Sequence, residues 1–423
     1  MECLSRSCTG MMKTDDAIAT LTGPLTALFA FAVGVIIINL TAAQPLAGPV
    51  QRALHLPASL AGLVAMLPQL GYALGMIFLV PLADLLENRR LTVATLACCA
   101  VTLALAAGAS SAPWFLLAVC LAGATSCAIQ VLVPLAAAMA HPQQRGSAVG
   151  NVMSGVMLGI LLSRPLASFF AGAFGWRAFY GLLALLDGSL ALLLWRWLPR
   201  RRPAGEESYP ALIGSLWTLW RREPELRRYS LSAAINMAAF SAFWTGIALR
   251  LVQPPFALDS SGVALFALAG VTGAIVAPLA GKAGDAGHAV VGMPVTHLLM
   301  LAGSVLAGCA GAGWCGIDID AHPHLALGLL VLAAILLDAG AIGDQTLGRR
   351  AVNMLDPDKR SRLNGLFVGV FFIGGSLGAV AVGVAWTFAG WSGVSLLCLG
   401  CCVLAFVGDL LARGGYWSGG KVR

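Results

Sequence analysis

Four ionisable side chains lie deep inside stretches that are otherwise almost free of charge: Arg164, Asp187, Asp338 and Asp344. A charge near the centre of a bilayer costs about 2.5 to 3.5 kcal/mol even on the lenient insertion scale, so each should face a cavity or a partner. Asp338, about 14 residues into its segment, is the best candidate for a carboxylate that carries a proton. The competing reading is a carboxylate satisfied by hydroxyls or Arg for packing. Arg164 lies 17 residues beyond Ser147, about 25 Å along a helix. It either binds an anionic or polar group from a cavity wall or ties its helix to a neighbour or a headgroup. Asp344 is near Arg349 and Arg350 and reads as a gate charge.

A second set is polar without charge: Asn39, Gln69, Gln130, Asn151, Asn236 and Gln345. Amides donate and accept together, which suits recognition of a solute with mixed donors and acceptors. The alternative is a tie between helices, worth about 0.6 kcal/mol per contact. Phe240, Phe243 and Trp244, and likewise Phe367, Phe371 and Phe372, recur at helical spacing. Such faces either pack in a core or line an apolar pocket, and a pocket of that kind favours an amphiphilic or aromatic solute over a bare sugar.

The chemistry missing from the chain is also informative. No GxxxxGK[ST] loop is present, so nothing points to ATP as the energy source. His141, His288 and His297 are scattered along the sequence rather than paired with acids, and no nucleophile constellation argues for an enzyme. Most of the 11 cysteines fall in apolar stretches, and no paired CxxC units exist. Asp318, Asp320, His322 and His324 read as an ordinary polar loop, with no metal or other cofactor expected.

The elements that position these residues follow from composition. Hydrophobic residues make up 59% of the 423 and charged ones 11%, far below the roughly 25% of a soluble domain. At about 20 residues per crossing, twelve spans are predicted, near 22–42, 59–82, 92–110, 113–136, 147–171, 177–198, 229–251, 262–281, 289–311, 324–343, 363–387 and 390–412. The expected fold is an all-α membrane protein of two pseudo-symmetric six-helix bundles. Residues 22–198 form one bundle and 229–412 the other. A cytoplasmic linker covers 199–228, with tails at 1–21 and 413–423. Within the linker, Tyr209 to Trp220 reads as a short amphipathic helix with Trp217 and Trp220 at headgroup depth.

Of the 26 Lys and Arg residues, 22 fall in loops and tails on one side, and Arg52, Arg177 and Arg250 fall on the other. Positive loops stay inside, so both termini are expected in the cytoplasm. The net charge of +7 is then topological and meets anionic lipid rather than nucleic acid.

The two bundles are diverged copies. Gln130, Pro142, Arg145, Gly150, Gly159, Gly175 and Trp176 recur 215 positions later as Gln345, Pro357, Arg360, Gly365, Gly374, Gly390 and Trp391. The loop after span 2, from Pro81 through Asp84 to Arg89 and Arg90, has its counterpart 197 positions later at Pro278 to His288. One insertion, mostly around Trp314 to Pro323, reconciles the two offsets. A duplicated bundle with a site between the copies is the usual construction of a solute carrier.

Asp84 followed by Arg89 and Arg90 is similar to the signature loop of the major facilitator superfamily, with Val80 and Glu87 standing where that family usually has Gly. The resemblance covers about residues 22 to 412 and implies a gating role for Asp84, Arg89 and Arg90. It also makes span 6, which carries Asp187, a peripheral scaffold helix. Ala42–Leu46, Gln69–Gly75 and Arg360–Asn364 resemble a bacterial branch of drug, sugar and metabolite efflux permeases. That branch implies a monomer in the bacterial inner membrane that exports a small organic molecule, with protons as the coupling partner. Span 4 lacks the Arg that drug–proton antiporters usually carry between Leu116 and Leu132, so coupling would fall to Arg164 or Asp338. Uptake or uniport of a metabolite is the alternative, and a receptor or scaffold that has lost transport is the remote one.

Overall fold

The computed structural model describes residues 21–141, 144–200, 208–287, 289–356 and 359–418. The repeat residues Pro142 and Pro357, His288, residues 1–20, Arg201 to Glu207 and residues 419–423 lie outside them. Within bilayer hydrocarbon every backbone amide must be satisfied along its own segment, and the described residues accordingly fold as helices. In order these are α1 (Gly23–Thr41), α2 (Ala43–Ala53), α3 (Leu63–Phe78), α4 (Asn88–Ala107), α5 (Ala112–Thr125), α6 (Ile129–Met139), α7 (Arg145–Phe174), α8 (Trp176–Trp197), α9 (Tyr209–Arg222), α10 (Pro224–Leu251), α11 (Ser260–Ala267), α12 (Val271–Asp285), α13 (Ala289–Ala312), α14 (Pro323–Asn353) and α15 (Arg360–Ser418).

Among the described residues, eleven stretches are long and apolar enough to cross a membrane. One of them, 360–412, is broken at Ala389 and Gly390, where Gly390 takes φ +54°. A residue with a Cβ would be strained there. The break turns α15 into two passes, which gives twelve crossings.

The chain departs from the predicted spans at four places. Past Ala42 the first crossing continues as α2, where a loop was predicted. Two crossings are interrupted by 3₁₀ turns, at Ser126–Ala128 between α5 and α6 and at Leu268–Gly270 between α11 and α12. Span 7 begins at Pro224 rather than residue 229, because α9 turns directly into α10 through Glu223. Along α9, Leu212, Leu216 and Leu219 are buried, Trp217 is exposed, and the Tyr209 hydroxyl donates to the Phe78 carbonyl at 2.9 Å.

Glycines four apart bring helix pairs into backbone contact inside each half. On α7, Gly155 and Gly159 abut the backbone of Ala30 and Gly34 on α1. Gly71 and Gly75 of α3 abut Cys120 and Ala124 of α5, and Gly374 and Gly378 of α15 abut Ala234 and Ala238 of α10. Where hydrocarbon supplies no hydrophobic drive between helices, such close approach is a main source of association. Away from the Arg-rich end the halves meet closely: Gly62 meets the backbone of Ala379, Gly383 meets Ser59, and Gly172 faces Ser260. Toward the Arg-rich end, the Cβ positions of Gly150 on α7 and Gly281 on α12 have nothing within 4 Å.

Candidate substrate cavity

A cavity of about 230 Å³ lies between the halves, lined from α1, α3, α6 and α7 on one side and α10, α14 and α15 on the other. Its wall is largely apolar, with Val133, Met157, Ile160, Met237, Ile342 and Phe372 among the contributors. Of the residues singled out from sequence, Gln130, Arg164, Phe240, Gln345 and Phe371 line it. The symmetry mates Gln130 and Gln345 thus share one chamber.

Arg164 is 3% exposed. Its Nε donates to Gln44 Oε1 at 3.0 Å, and its guanidinium lies 4.2 Å from the Trp244 ring centre and 5.3 Å from that of Phe240. These cation–π contacts cross from one half to the other, and desolvation makes such contacts stronger. Nη2 is buried without a hydrogen-bond partner. Trp244 Nε1 donates to Asp338 Oδ1 at 3.0 Å, which holds the carboxylate just behind the cavity wall. Around the 3₁₀ break, Arg164 Nη1 and Asp338 Oδ2 lie 3.2 and 3.7 Å from where a Cβ on Gly270 would sit. Gly273 leaves 3.1 Å to the same carboxylate oxygen. The two charges therefore approach one glycine, and among the described residues no ion pair joins them.

Toward the Arg-rich end, a polar chain crosses the interface. Gln130 Nε2 donates to the Tyr72 hydroxyl at 3.0 Å, Asn364 Nδ2 reaches Gln130 Oε1 at 3.4 Å, and Arg349 Nε donates to Asn364 Oδ1 at 2.6 Å. Tyr72 also meets Phe372 edge-on at 4.7 Å. Sequence reasoning assigned no site role to Gln44, Tyr72 or Asn364. Each lies in a segment quoted for family resemblance, so the signal was present at the level of segments.

Other predicted site residues lie elsewhere. Gln69 spans the halves by donating to Ser241 Oγ at 2.9 Å, and it packs as a tie against Gly375. Asn39 is turned into the first half, where it donates to Asp187 Oδ2 at 2.7 Å. Asn151 is exposed on α7, and Asn236 is buried with neither amide atom hydrogen-bonded. None of these four lines the cavity.

Asp344 also corrects a reading. It is 1% exposed and accepts from or donates to His297 Nε2 at 3.0 Å, between α13 and α14, rather than facing Arg349 as a gate charge. The histidines are thus not all unpaired with acids: α13 brings His297 to a carboxylate 47 residues away in the sequence. At the Arg-rich end Arg89 Nη1 reaches the Leu198 carbonyl at 3.5 Å, and Arg90 pairs with Glu87 at 3.5 Å. Asp84 borders a small cleft with Ser361 and Arg362 of the other half.

Residues 27–348 match the family description Major Facilitator Superfamily. The chain belongs to that superfamily. Among major facilitator relatives, "Uncharacterized transporter YgaY" of Escherichia coli O157:H7 is 35% identical over 93% of this chain and 95% of its own length. "Probable transporter SCO4007" of Streptomyces coelicolor is 32% identical over 87% and 82%. The crystal structure of the nucleoside transporter NupG superposes with a TM-score of 0.68 at 16% identity, covering 92% of this chain and 99% of that one. A likeness of that kind speaks for the fold alone. The chain is a multi-pass membrane transporter of the major facilitator type.

Proposed function

We propose that the protein is a proton-coupled secondary carrier that moves a small organic molecule through the central cavity by alternating access, with both termini in the cytoplasm. The observation that carries the reading is the inter-half cavity with Arg164 in its wall and Asp338 held just behind it by Trp244. A carboxylate held by Trp244 and by the Gly273 backbone, with a cation nearby but not paired to it, can exist with or without a proton as its surroundings change. Gln130 and Gln345 supply donors and acceptors to the solute. Asp84 and the Arg-rich loops form the closure at the cytoplasmic end.

Export in exchange for protons is the direction implied by the resemblance. Uptake with protons is the second reading, and the approach of Arg164 and Asp338 to one glycine favours it. An anionic solute group and the ionised carboxylate would compete for the same guanidinium, so solute and proton would travel together.

Spin labels placed at Gly150 and Gly281, where side chains meet nothing within 4 Å, test the mechanism. Two inter-label distance populations that exchange weight with pH are expected, and one fixed distance at every pH would overturn alternating access. Everted vesicles carrying a pH-sensitive dye separate the two directions, and an undiminished solute response in Asp338→Asn would remove that carboxylate from the coupling.

A further inference from the structure

The charges on the cavity wall are of one sign. Arg164 and Arg349 line the chamber, and among the described lining residues there is no Asp or Glu. The other polar contributors are Thr41, Tyr72, Gln130, Gln345 and Asn364, and the rest of the wall is aliphatic, aromatic or Met. A desolvated cation in such a chamber attracts an anion far more strongly than it would in water.

The two arginines differ in what they have left to offer. Arg349 is committed through Nε to Asn364, at the head of the chain of amides that joins the halves. Arg164 is held in place by three contacts that leave its terminal nitrogens unused: Gln44 takes Nε, and Trp244 and Phe240 take the flat faces. Nη2 is buried and has no partner, although buried polar groups are satisfied in the great majority of cases. Asp338 is the nearby counter-charge, but Trp244 and the Gly273 backbone hold it, and among the described residues no ion pair within 4 Å joins it to Arg164. The guanidinium thus has its position fixed and its end-on edge, formed by Nη1 and Nη2, free for a planar two-oxygen acceptor.

We propose that the solute is an amphiphilic organic monoanion, its carboxylate on the Nη1 and Nη2 edge of Arg164 and its apolar body along Ile160, Met237, Phe240 and Phe371. The inference rests on the central cavity being the transport site and deepens that reading by naming the class of solute.

Three probes with one hydrophobic body decide the matter: 4-phenylbutanoate, 4-phenylbutylamine and 4-phenylbutanol. Each is titrated to millimolar concentration against the full chain in lipid nanodiscs, with tryptophan fluorescence and the thermal unfolding midpoint as readouts. The carboxylate quenches fluorescence and raises the midpoint, and the amine and alcohol bind about tenfold or more weakly. Arg164→Gln abolishes the preference and Arg164→Lys keeps part of it, each variant being accepted only if it elutes as a monodisperse peak. Arg349→Gln keeps the preference, which separates one specific guanidinium from general positive charge. Equal or tighter binding of the amine or alcohol would overturn the proposal, as would an unchanged carboxylate response in Arg164→Gln or no response to any of the three. None of these results would alter the inter-label distances at Gly150 and Gly281, so alternating access stands or falls separately.

Discussion

The two halves share a frame and differ in their buried charges. Counting 215 positions along the chain, Arg164 corresponds to Ala379, Gly123 to Asp338, Ile129 to Asp344 and Asp187 to Cys402. No charge inside the bundle has a charged mate. At the offset of 197, Asn39 corresponds to Asn236. Asn39 donates to one oxygen of Asp187, whereas Asn236 has no partner and Cys402 contacts Ser304 Oγ at 3.3 Å instead. Helix packing tolerates duplication, because glycine contacts depend only on shape. Charges diverge because a symmetric pair of buried ions would add desolvation cost to both halves. The consequence is division of labour: Arg164, the cavity cation without a hydrogen bond on its terminal nitrogens, comes from the first half, and the carboxylate behind it from the second.

The comparison can be pressed hardest at the shared frame. Gly155→Leu and Gly374→Leu each drive a side chain into neighbouring backbone, Ala30 in one half and Ala234 in the other. Both should cost on the order of several kcal/mol and abolish monodisperse protein by size-exclusion chromatography. Loss in only one half would show that the frame is less symmetric than its contacts.

At the asymmetric charges the effect should be on transport rather than folding. Arg164→Gln and Asp338→Asn are expected to reduce solute-dependent proton movement in vesicles by about a hundredfold, the scale of a lost charge-assisted contact in a desolvated site. Asp187→Asn, in the same half as Arg164 but away from the cavity, should leave that signal within about twofold. A collapse of transport in Asp187→Asn would show that the scaffold carboxylate belongs to the mechanism.

The mated amides give a smaller contrast of opposite sign. Asn39→Leu removes the amide donor to the Asp187 carboxylate and should lower stability by about 1 kcal/mol, near the upper end for hydrogen bonds between membrane helices. Asn236→Leu removes two unsatisfied polar atoms and should leave the unfolding midpoint unchanged or raised. Smallest of all, Arg90→Ala breaks an ion pair whose Arg is 79% exposed, and thermal unfolding should shift by less than the scatter of replicate scans.

The amides show where reading from sequence stops. Gln130, Asn39 and Asn236 look alike in a string of apolar residues, each a lone carboxamide in a long helix. Rotation about the helix axis sends Gln130 to the cavity, Asn39 to a carboxylate and Asn236 to a site without a partner. Helices that are apolar on every face carry no amphipathic signal to fix that rotation. Asp344 was misplaced for a related reason: its sequence neighbours are Arg349 and Arg350, but residues five and six positions along a helix point to other sides of it. Its partner, His297, comes from a different helix.

The sequence by itself determined that the chain lies in a membrane, that it crosses about twelve times and that its second half repeats its first. Those properties depend on apolar run length, charge at the loop ends and self-similarity, all of which are local or linear in the chain. Only the tertiary structure decided that Trp244, Gln44 and Asp338 gather around Arg164 at the cavity wall and that Asp344 turns away to His297. Such groupings depend on which faces two helices present when their backbones are brought together, and that is set by glycine contacts along the helices and by the 3₁₀ break at Leu268–Gly270 beside the two charges.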